Sequence, residues 1–416
     1  METRLVKVRD ISTTDEWAWR DLATRALEPN PFFEPDFLML SAKHFEGYAG
    51  TTLVVSQKEN AFTGVIPIVR FDKQRIPPRT VARIIGSPTA VCCLGTPLVD
   101  ASCADVAMSA MLQALRCAWK TNSWPGIVRL DWAGNDGPVM ECLRRMCESQ
   151  GFPLFTEEIW ERGAVRRDGR WEHPLGKTRE RRLAASRRTL ARDTSTEVTL
   201  VDRTLDPSVV EDFLIMEMTG WKGREGGTAF GKDGDKTAWL REWYERWSAA
   251  GRLVVLCLQA GDVPVALEFF VRAGDGIFCF RGAYDDAYSK YAPGAMVLAD
   301  GMGYLLEHTD ALWVDSATDK DNAFLLEFLP ERRTLAQLYI GVGGILDRNI
   351  VAALPTLTRL VAKKRLLRDR WARKISVVPM GTRKQAGLRN LRRRPPGPGT
   401  AQDRSGRSSA DGSPPT

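Results

Sequence analysis

The sequence predicts an α/β fold organised in two domains, and three observations support this prediction. The chain has 416 residues, and domains commonly span roughly 100–200 residues. Apolar residues make up 44% of the chain, and its 13 tryptophans can fill more than one hydrophobic core. Strand-like and helix-like segments alternate along the sequence, which is typical of a sheet layered with helices.

Changes in composition divide the chain into five expected segments. They are an N-terminal domain over 1–160, a basic helical connector over 161–195, a second domain over 196–350, a basic C-terminal helix over 351–391 and a disordered tail over 392–416. The tail is predicted to be disordered because Pro, Gly and Ser dominate it and no core can form.

Apolar periodicity and turn residues predict the elements of the first domain. Strands are expected over 5–11, 51–57, 61–71 and 127–132, with Glu59-Asn60 as the turn between the second and the third. Helices are expected over 15–27, 35–45, 101–120 and 137–150. Gly151 suits the C-terminal cap of the last helix.

The second domain shows a run of strands followed by a helix. Strands are expected over 198–201, 253–258, 263–272, 276–283, 312–315 and 334–340, and helices over 207–219, 235–250, 295–308, 322–329 and 357–375. Gly261-Asp262 and Gly274-Asp275 are two-residue pairs of the kind that make hairpin turns. Three consecutive antiparallel strands are therefore predicted over 253–283.

Several classes of protein are disfavoured by the residue content. No run of about 18 uncharged apolar residues is present, and the N-terminal METRLVKVRD lacks an apolar core. We therefore expect a cytoplasmic protein, with peripheral contact at the inner membrane as the alternative. The three histidines share no metal-ligand spacing, so no metal is expected, and the eight cysteines form no C-x-x-C pair and are interpreted as reduced thiols.

The net charge of +7 is unevenly distributed. Residues 359–416 carry +13, so residues 1–358 carry −6. The basic tail is interpreted either as solubilising disorder or as a weak contact with an anionic membrane or nucleic acid. The connector GKTRERRLAASRRTLAR is interpreted as a solvated helix between domains, or alternatively as a contact with phosphates of a cofactor or nucleic acid.

The segment YDDAYSKYAPGAMVL, residues 284–298, joins a strand to an apolar helix. Pro293 suits the first helical position, where a missing N–H costs nothing, and Gly294 permits close backbone approach. Free amides at Gly294, Ala295 and Met296, together with the helix dipole, predict an anion site for a pyrophosphate.

Four ordered motifs carry a resemblance to a known family. They are NPFFEPDFL at 30–38, GWKGREGGTAF at 220–230, the segment at 284–298 and the Asp-containing strand and turn at 312–319. Together they resemble the CelD-like, BioF-related branch of the GNAT acetyltransferases, which is kin to the FemAB peptidyltransferases. The resemblance implies tandem GNAT-like domains, each a mixed, mostly antiparallel twisted sheet flanked by helices.

The same resemblance implies a function. The first domain of the family is degenerate, and the second binds acetyl-CoA or another acyl-CoA as co-substrate. The pantetheine would lie between the strand ending near Gly282 and the strand at 312–315, and Tyr291, Pro293, Gly294, Ala295 and Met296 would bind the donor. One run departs from the family's Gly-x-Glu-x-Tyr-Lys pattern, with Asp319, Asp321, Ala323 and Phe324 in place of the four named residues. A different acceptor or impaired catalysis would follow.

Acyl transfer to an amine needs a base, and two carboxylates are candidates. Asp315 ends a strand beside the expected slot and is interpreted as a base or acceptor-orienting group, or else as a solvated carboxylate or helix cap. Glu268 interrupts the apolar strand ALEFFV and is interpreted as a base, or else as an exposed residue of a half-buried strand. Tyr288 and Tyr291 are candidate donors to the leaving thiolate, or packing residues.

The acceptor is expected to be a small-molecule or sugar-linked amine. Trp221 and Lys222, in a Gly-rich loop, are the candidate substrate contacts together with Tyr284. The alternatives are packing by Trp221 and a solvated Lys222. Arg281 is interpreted as a cross-strand partner or as a contact to a 3′-phosphate.

Two other function classes remain open at this point. A FemAB-like aminoacyltransferase would take its donor from tRNA and bind it through the Arg-rich connector and the basic C-terminal helix. A non-catalytic GNAT-fold scaffold of polysaccharide or envelope biosynthesis would use residues 357–375 and the tail to dock on anionic lipid or an acidic partner.

Overall fold

A single mixed sheet of thirteen strands forms the centre of the fold in a computed structural model, which describes residues 1–72, 80–84, 92–167, 175–318 and 324–376. The strands are β1 Glu2–Lys7, β2 Thr52–Lys58, β3 Ala61–Phe71, β4 Val81–Ile84, β5 Leu98–Val99, β6 Ile127–Gly134, β7 Leu154–Arg166, β8 Val198–Asp202, β9 Leu253–Ala260, β10 Val263–Ala273, β11 Gly276–Tyr284, β12 Trp313–Asp315 and β13 Glu331–Gly341.

Helices lie on both faces of the sheet. They are α1 Thr13–Thr24, α2 Pro35–His44, α3 Glu46–Ala49, α4 Ala104–Lys120, α5 Pro138–Ser149, α6 Lys177–Thr194, α7 Val209–Thr219, α8 Gly234–Ala249, α9 Pro293–His308 and α10 Ile345–Ser376. In the second half, one core lies between the sheet and α7–α8 and the other lies between the sheet and α9. The predicted mixed α/β class is confirmed.

The order of strands reads alike from either end of the sheet. It is β1-β2-β3-β4-β6-β13-β7-β12-β11-β10-β9-β8, with β5 paired to β3. Neighbours are antiparallel except for the two parallel pairs β4–β6 and β11–β12, which occupy matching places in the two halves. The sheet is therefore built from two copies of one strand arrangement.

One hairpin shows how closely the two copies agree. The β2–β3 hairpin closes on the pair Lys58–Ala61, and the β9–β10 hairpin closes on Ala260–Val263, so each has a two-residue turn. In both, the register shifts at the third residue of the second strand. These turns are the pairs Glu59-Asn60 and Gly261-Asp262, as the sequence predicted.

The two halves exchange their last strands. β7 follows the first half in sequence but pairs with β12, and β13 follows the second half but pairs with β6. The two exchanged strands also pair with each other, and residues 1–360 form one compact unit. The predicted domain limits near 160 and 195 stay predictions, because the sheet runs through both halves without a break.

Some local predictions differ from the structure. Residues 161–166, expected in the connector, extend β7, and the connector helix is α6. Val8–Asp10 and Leu325–Glu327 form short 3₁₀ helices in place of a strand end and an α-helix. Helix α10 begins at Ile345 and continues past Pro355. The rest of the predicted basic helix and the tail, residues 377–416, lie outside the described residues.

The segment at 30–38 joins the two halves of the molecule. Phe32 packs edge-on against Phe278 of β11 at 5.9 Å between ring centroids, and Phe37 packs against Trp239 of α8 at 5.5 Å. The buried carboxylate of Glu34 is ion-paired with Arg252. This motif of the family resemblance therefore contributes packing between the halves.

Other properties bear on the function classes. Within the described ranges, no helix is long and apolar enough to cross a membrane, and no group of three or more His, Cys, Asp or Glu side chains is placed to hold a metal ion. The eight cysteines are free thiols.

Candidate functional site

A cavity of about 470 Å³ opens where β11 and β12 separate. The two strands pair in parallel only from Gly276–Trp313 to Phe278–Asp315. Beyond that point β11 runs on to Tyr284, while the chain leaves β12 at Ser316. Residues of both diverging segments line the cavity, as do the end of α7 and the start of α9. The slot implied by the resemblance is thus present between these strands.

Glu268 is the candidate base that the structure brings into this cavity. It lies on β10 opposite Gly282 of β11, and its carboxylate occupies the space over that glycine. A Cβ atom at position 282 would lie 1.8 Å from Oε2 of Glu268. Burial raises the pKa of Glu268 to about 8, although the nearby cations Lys222 and Arg281 act in the opposite direction.

Lys222 also lies in the cavity, in an ion cluster with Glu217 and Arg281. Its ammonium donates to the carbonyl of Gly282 at 2.5 Å and to Oε1 of Glu217 at 3.2 Å. Arg281 donates from Nε to the same Oε1 at 2.8 Å, and the Phe230 amide donates to the other oxygen at 2.9 Å. Burial, and then the charge of Arg281, lower the pKa of Lys222.

Glu217 is a site residue that the sequence analysis missed. Its side chain is buried on α7, one turn after the buried Phe213. A carboxylate on the apolar face of a helix needs a polar partner when it is buried. The position of Glu217 among apolar residues of a predicted helix was therefore the sequence signal that could have identified it. Arg281 is ion-paired with Glu217 on helix α7, and not across strands as the first of its two sequence interpretations expected.

The Gly-Trp-Lys-Gly loop holds Lys222 in place. The Ala229 amide donates to the Lys222 carbonyl at 3.0 Å, and the Gly223 amide donates to the Gly220 carbonyl at 3.0 Å. A Cβ atom at Gly223 would lie 1.9 Å from the Met218 carbonyl oxygen, so the tight turn needs glycine there. Trp221 lies at the rim of the cavity and is 54% exposed.

The start of α9 differs from the predicted anion site. Ala292 adopts a left-handed conformation with φ 57°, and its carbonyl accepts hydrogen bonds from the amides of Ala295 at 3.0 Å and Met296 at 3.2 Å. The prediction of three free amides is therefore wrong for these two residues. Gly294 lines the cavity beside Tyr284, whereas Pro293, Ala295 and Met296 are buried.

The structure places the other two candidate tyrosines outside the cavity lining. Tyr291 is 7% exposed, and its hydroxyl donates to Oδ2 of Asp193 on α6 at 2.7 Å. Tyr288 packs, partly buried, against the core under α9. Their geometry agrees with the packing interpretation of both residues.

Asp315 is a fully buried ion-pair residue. Arg162 of β7 approaches it at 2.7 Å and Arg333 of β13 at 2.8 Å, and the Ala317 amide donates to Oδ1 at 2.8 Å. Burial alone would raise the pKa of Asp315, but the two guanidinium groups outweigh it, and the pKa is lowered. A carboxylate held this way favours an anchoring role over that of a base.

Asp315 fixes the turn that forms the far wall of the cavity. Ser316, Ala317 and Thr318 line it, and Ala317 has a positive φ of 45°. The hydroxyl of Ser316 is buried and has no hydrogen-bond partner among the described residues. In the run that departs from the family pattern, Asp319, Asp321 and Ala323 lie outside the described residues, and Phe324 lies on the rim, 43% exposed.

The first half lacks the candidate base. Counted from the matching hairpin turns, Glu268 is five residues after Val263, and Ile66 is five residues after Ala61. Ile66 is buried and apolar. The site is therefore present in the second half and not at the matching place on β3.

Comparisons with known proteins agree with this placement. Residues 176–319 match the family model described as an acetyltransferase (GNAT) domain. No curated protein sequence matches the chain. Among solved structures, FemX aligns with a TM-score of 0.53 at 10% identity, over 82% of this chain and 97% of its own. A conserved protein of unknown function from Bacteroides thetaiotaomicron aligns with a TM-score of 0.52 at 12% identity, over 80% of this chain and 97% of its own.

The two structural matches concern the fold, and the family model covers the segment that contains Glu217, Lys222, Glu268 and Gly294. Residues 176–319 are therefore similar to a GNAT-type acetyltransferase domain, and the chain shares the overall fold of FemX.

Proposed function

We propose that this protein transfers an acyl group from a CoA thioester, acetyl-CoA or another acyl-CoA, to an amine acceptor, with Glu268 as the general base. The observation that carries the proposal is the buried carboxylate of Glu268 in the slot between β11 and β12, with a pKa raised to about 8. A base with a pKa near the working pH is efficient because it is partly ionised and still binds a proton well.

The proposed reaction needs no covalent intermediate on the protein. The ionised Glu268 takes a proton from the acceptor ammonium, and the free amine then attacks the thioester carbonyl carbon. The C–S bond breaks as the new C–N bond forms, the proton held by Glu268 passes to the leaving thiolate, and the second proton of the attacking nitrogen is released to solvent. The products are an amide and a free thiol. Lys222 is a positioning residue, because its charge favours the ionised form of Glu268.

The acceptor is proposed to be a small-molecule or sugar-linked amine. Trp221 and Phe324 are both exposed and both line the cavity, so they are the aromatic surfaces that an entering acceptor meets first. Amino sugars, amino acids and simple amines are the compounds to screen.

Replacing the base tests this proposal. Glu268→Gln keeps the size of the side chain but cannot accept the proton, so kcat/KM should fall by about 100-fold or more. Thiol release from acetyl-CoA, measured with a panel of amines, reports the rate. In the unmodified protein kcat/KM should rise with pH up to about 8, and this rise should disappear in Glu268→Gln.

Two matched controls accompany this test. Glu307→Gln, at an exposed position of α9, should retain full activity. Gly282→Ala should displace the Glu268 carboxylate and lower the rate, whereas Gly303→Ala, where the added methyl group meets open space, should not. Full activity of Glu268→Gln across the pH range would overturn the assignment of Glu268 as the base.

A second candidate function is aminoacyl transfer from tRNA. It is favoured by α6, on which Lys177, Arg181, Arg182 and Arg188 are exposed. Such a cationic face suits a phosphate backbone, and binding through it would weaken steeply as salt increases. Competition between bulk tRNA and acetyl-CoA for the protein distinguishes the candidates, because only a tRNA-borne donor should displace acetyl-CoA from the slot. Absence of competition would exclude this second function.

A further inference from the structure

The sequence analysis predicted that a diphosphate binds at the start of α9. Most of the backbone amides there, however, donate hydrogen bonds to other groups of the chain. Pro293 has no N–H, and the amides of Ala295 and Met296 donate to the Ala292 carbonyl. Gly294 is left as the one amide of this first turn without an acceptor in the described chain. A diphosphate bound at a helix start normally receives several such donors.

Backbone amides of the loop before α9 also donate hydrogen bonds within the chain. The Ala287 amide donates to the Asp285 side chain at 2.9 Å, the Tyr288 amide to the Asp285 carbonyl at 3.0 Å, and the Ala292 amide to the Ser289 carbonyl at 3.0 Å. The segment Asp286–Tyr291 is a 3₁₀ helix, whose own hydrogen bonds use further amides. The loop therefore does not form an open nest of donors.

Three cations beside this loop are each paired with a nearby carboxylate. Lys290 lies 3.7 Å from Asp193, Arg192 lies 3.0 Å from the same carboxylate, and Arg224 lies 2.7 Å from Asp286. A diphosphate placed here would have to compete with these carboxylates for each cation. Neither the backbone nor the side chains at the start of α9 are thus prepared for one.

The slot itself is suited to a narrow chain that carries amide groups. The edge of β11 that faces β12 has no described strand partner beyond Phe278. Apart from the Gly282 carbonyl, which accepts from Lys222, the backbone groups on this edge from Cys279 onward can therefore bond to a ligand. The Ser316 hydroxyl is buried there without a partner. Val297 and Leu298 supply apolar wall. An extended arm with amides and methylenes matches this lining.

We infer that the donor is recognised through its acyl-pantetheine arm alone, and that the nucleotide diphosphate of CoA is not held at the start of α9. This inference rests on the proposed function, since it concerns the donor of that same slot. The site then accepts pantetheine thioesters as a chemical class, whatever is attached at the far end of the arm.

A series of truncated donors tests this inference. The full chain is titrated by calorimetry with acetyl-CoA, acetyl-phosphopantetheine and acetyl-pantetheine. Their dissociation constants should agree within about threefold, because the parts removed make no strong contact. Acetyl-CoA binding more tightly than acetyl-pantetheine by about tenfold or more would overturn the inference.

A charge reversal gives an independent readout. Lys290 is exposed and is the cation nearest in sequence to the start of α9, so Lys290→Glu should repel a diphosphate bound there. We expect no change in the dissociation constant of acetyl-CoA, as for the control Lys58→Glu in the first half. A tenfold or so weakening with Lys290→Glu but not with Lys58→Glu would place the diphosphate at α9 and contradict the inference.

The outcomes separate this inference from the function on which it rests. If none of the three thioesters binds, donor binding in the slot is wrong, and the inference falls with it. If all three bind but acetyl-CoA binds far more tightly, only the inference fails. If they bind alike while Glu268→Gln remains fully active, the inference holds and the assignment of the base fails.

Discussion

Two buried carboxylates of the second half show how neighbouring residues decide chemistry. Glu268 and Asp315 are both removed from water, which by itself raises the pKa of each. Asp315 receives two guanidinium groups and an amide and stays ionised, whereas none of the described residues donates a hydrogen bond to the Glu268 carboxylate, whose pKa rises to about 8. Of these two carboxylates, Glu268 is therefore the one that can exchange a proton near neutral pH.

Glu268 should also make stability depend on pH. Its pKa in the folded protein is about 8 against a reference of 4.5, so between these values the folded state binds one more proton than the unfolded state. Stability should therefore fall as pH rises from 4.5 to about 8. Each unit of pKa shift corresponds to about 1.4 kcal/mol. Glu268→Gln has no ionised form, and it should lack this decrease.

Denaturant unfolding at about pH 5 and about pH 9 measures the difference. The variant should gain stability relative to the unmodified protein only at the higher pH, while Glu307→Gln should follow the unmodified protein at both. Equal pH dependence of Glu268→Gln and the unmodified protein would show that the carboxylate is not buried as described.

At the scale of elements, local sequence patterns correctly predicted the hairpins and helix α9 but did not predict some of the other strands. Two-residue turns and apolar runs identify β9, β10 and β11, because these signals lie within a few residues. No strand was predicted for any part of β7, since five of its thirteen residues are charged. The pairing with β12 and β13 that makes it a strand is long-range.

The start of α9 shows a second limit of local pattern. Proline at the first position and a following glycine predict the helix, and the helix is present. The left-handed conformation of Ala292 is uncommon for a residue with a side chain, and no feature of the sequence predicts it. That conformation turns the Ala292 carbonyl towards two of the amides that were expected to bind an anion.

At the scale of the whole molecule, strand exchange makes each half depend on the other. β12 takes its antiparallel partner from β7, and β13 lies between β6 and β7. The segment 196–350 by itself would leave the β12 edge unpaired and β13 without either neighbour. Such unpaired edges favour aggregation.

We therefore expect residues 196–350, expressed alone, to be insoluble or to unfold without a cooperative transition. Residues 1–360 should unfold cooperatively and serve as the control, because they contain the complete sheet. Circular dichroism during thermal unfolding gives the readout. A soluble 196–350 segment with a sharp transition would mean that the exchange is dispensable and that the predicted domain limits are also folding limits.

By itself, the sequence determined that this chain is an α/β protein whose second half resembles a GNAT domain, and it indicated Lys222, Glu268 and Gly294 as candidate site residues. These conclusions follow from local signals: turns, apolar periodicity and short ordered motifs. Tertiary structure decided which of the two buried carboxylates has a raised pKa. Arg162 and Arg333 reach Asp315 from β7 and β13, far away in sequence, whereas Gly282 leaves room for Glu268. A pKa depends on the charges and the solvent around a group, and only the folded chain brings these together.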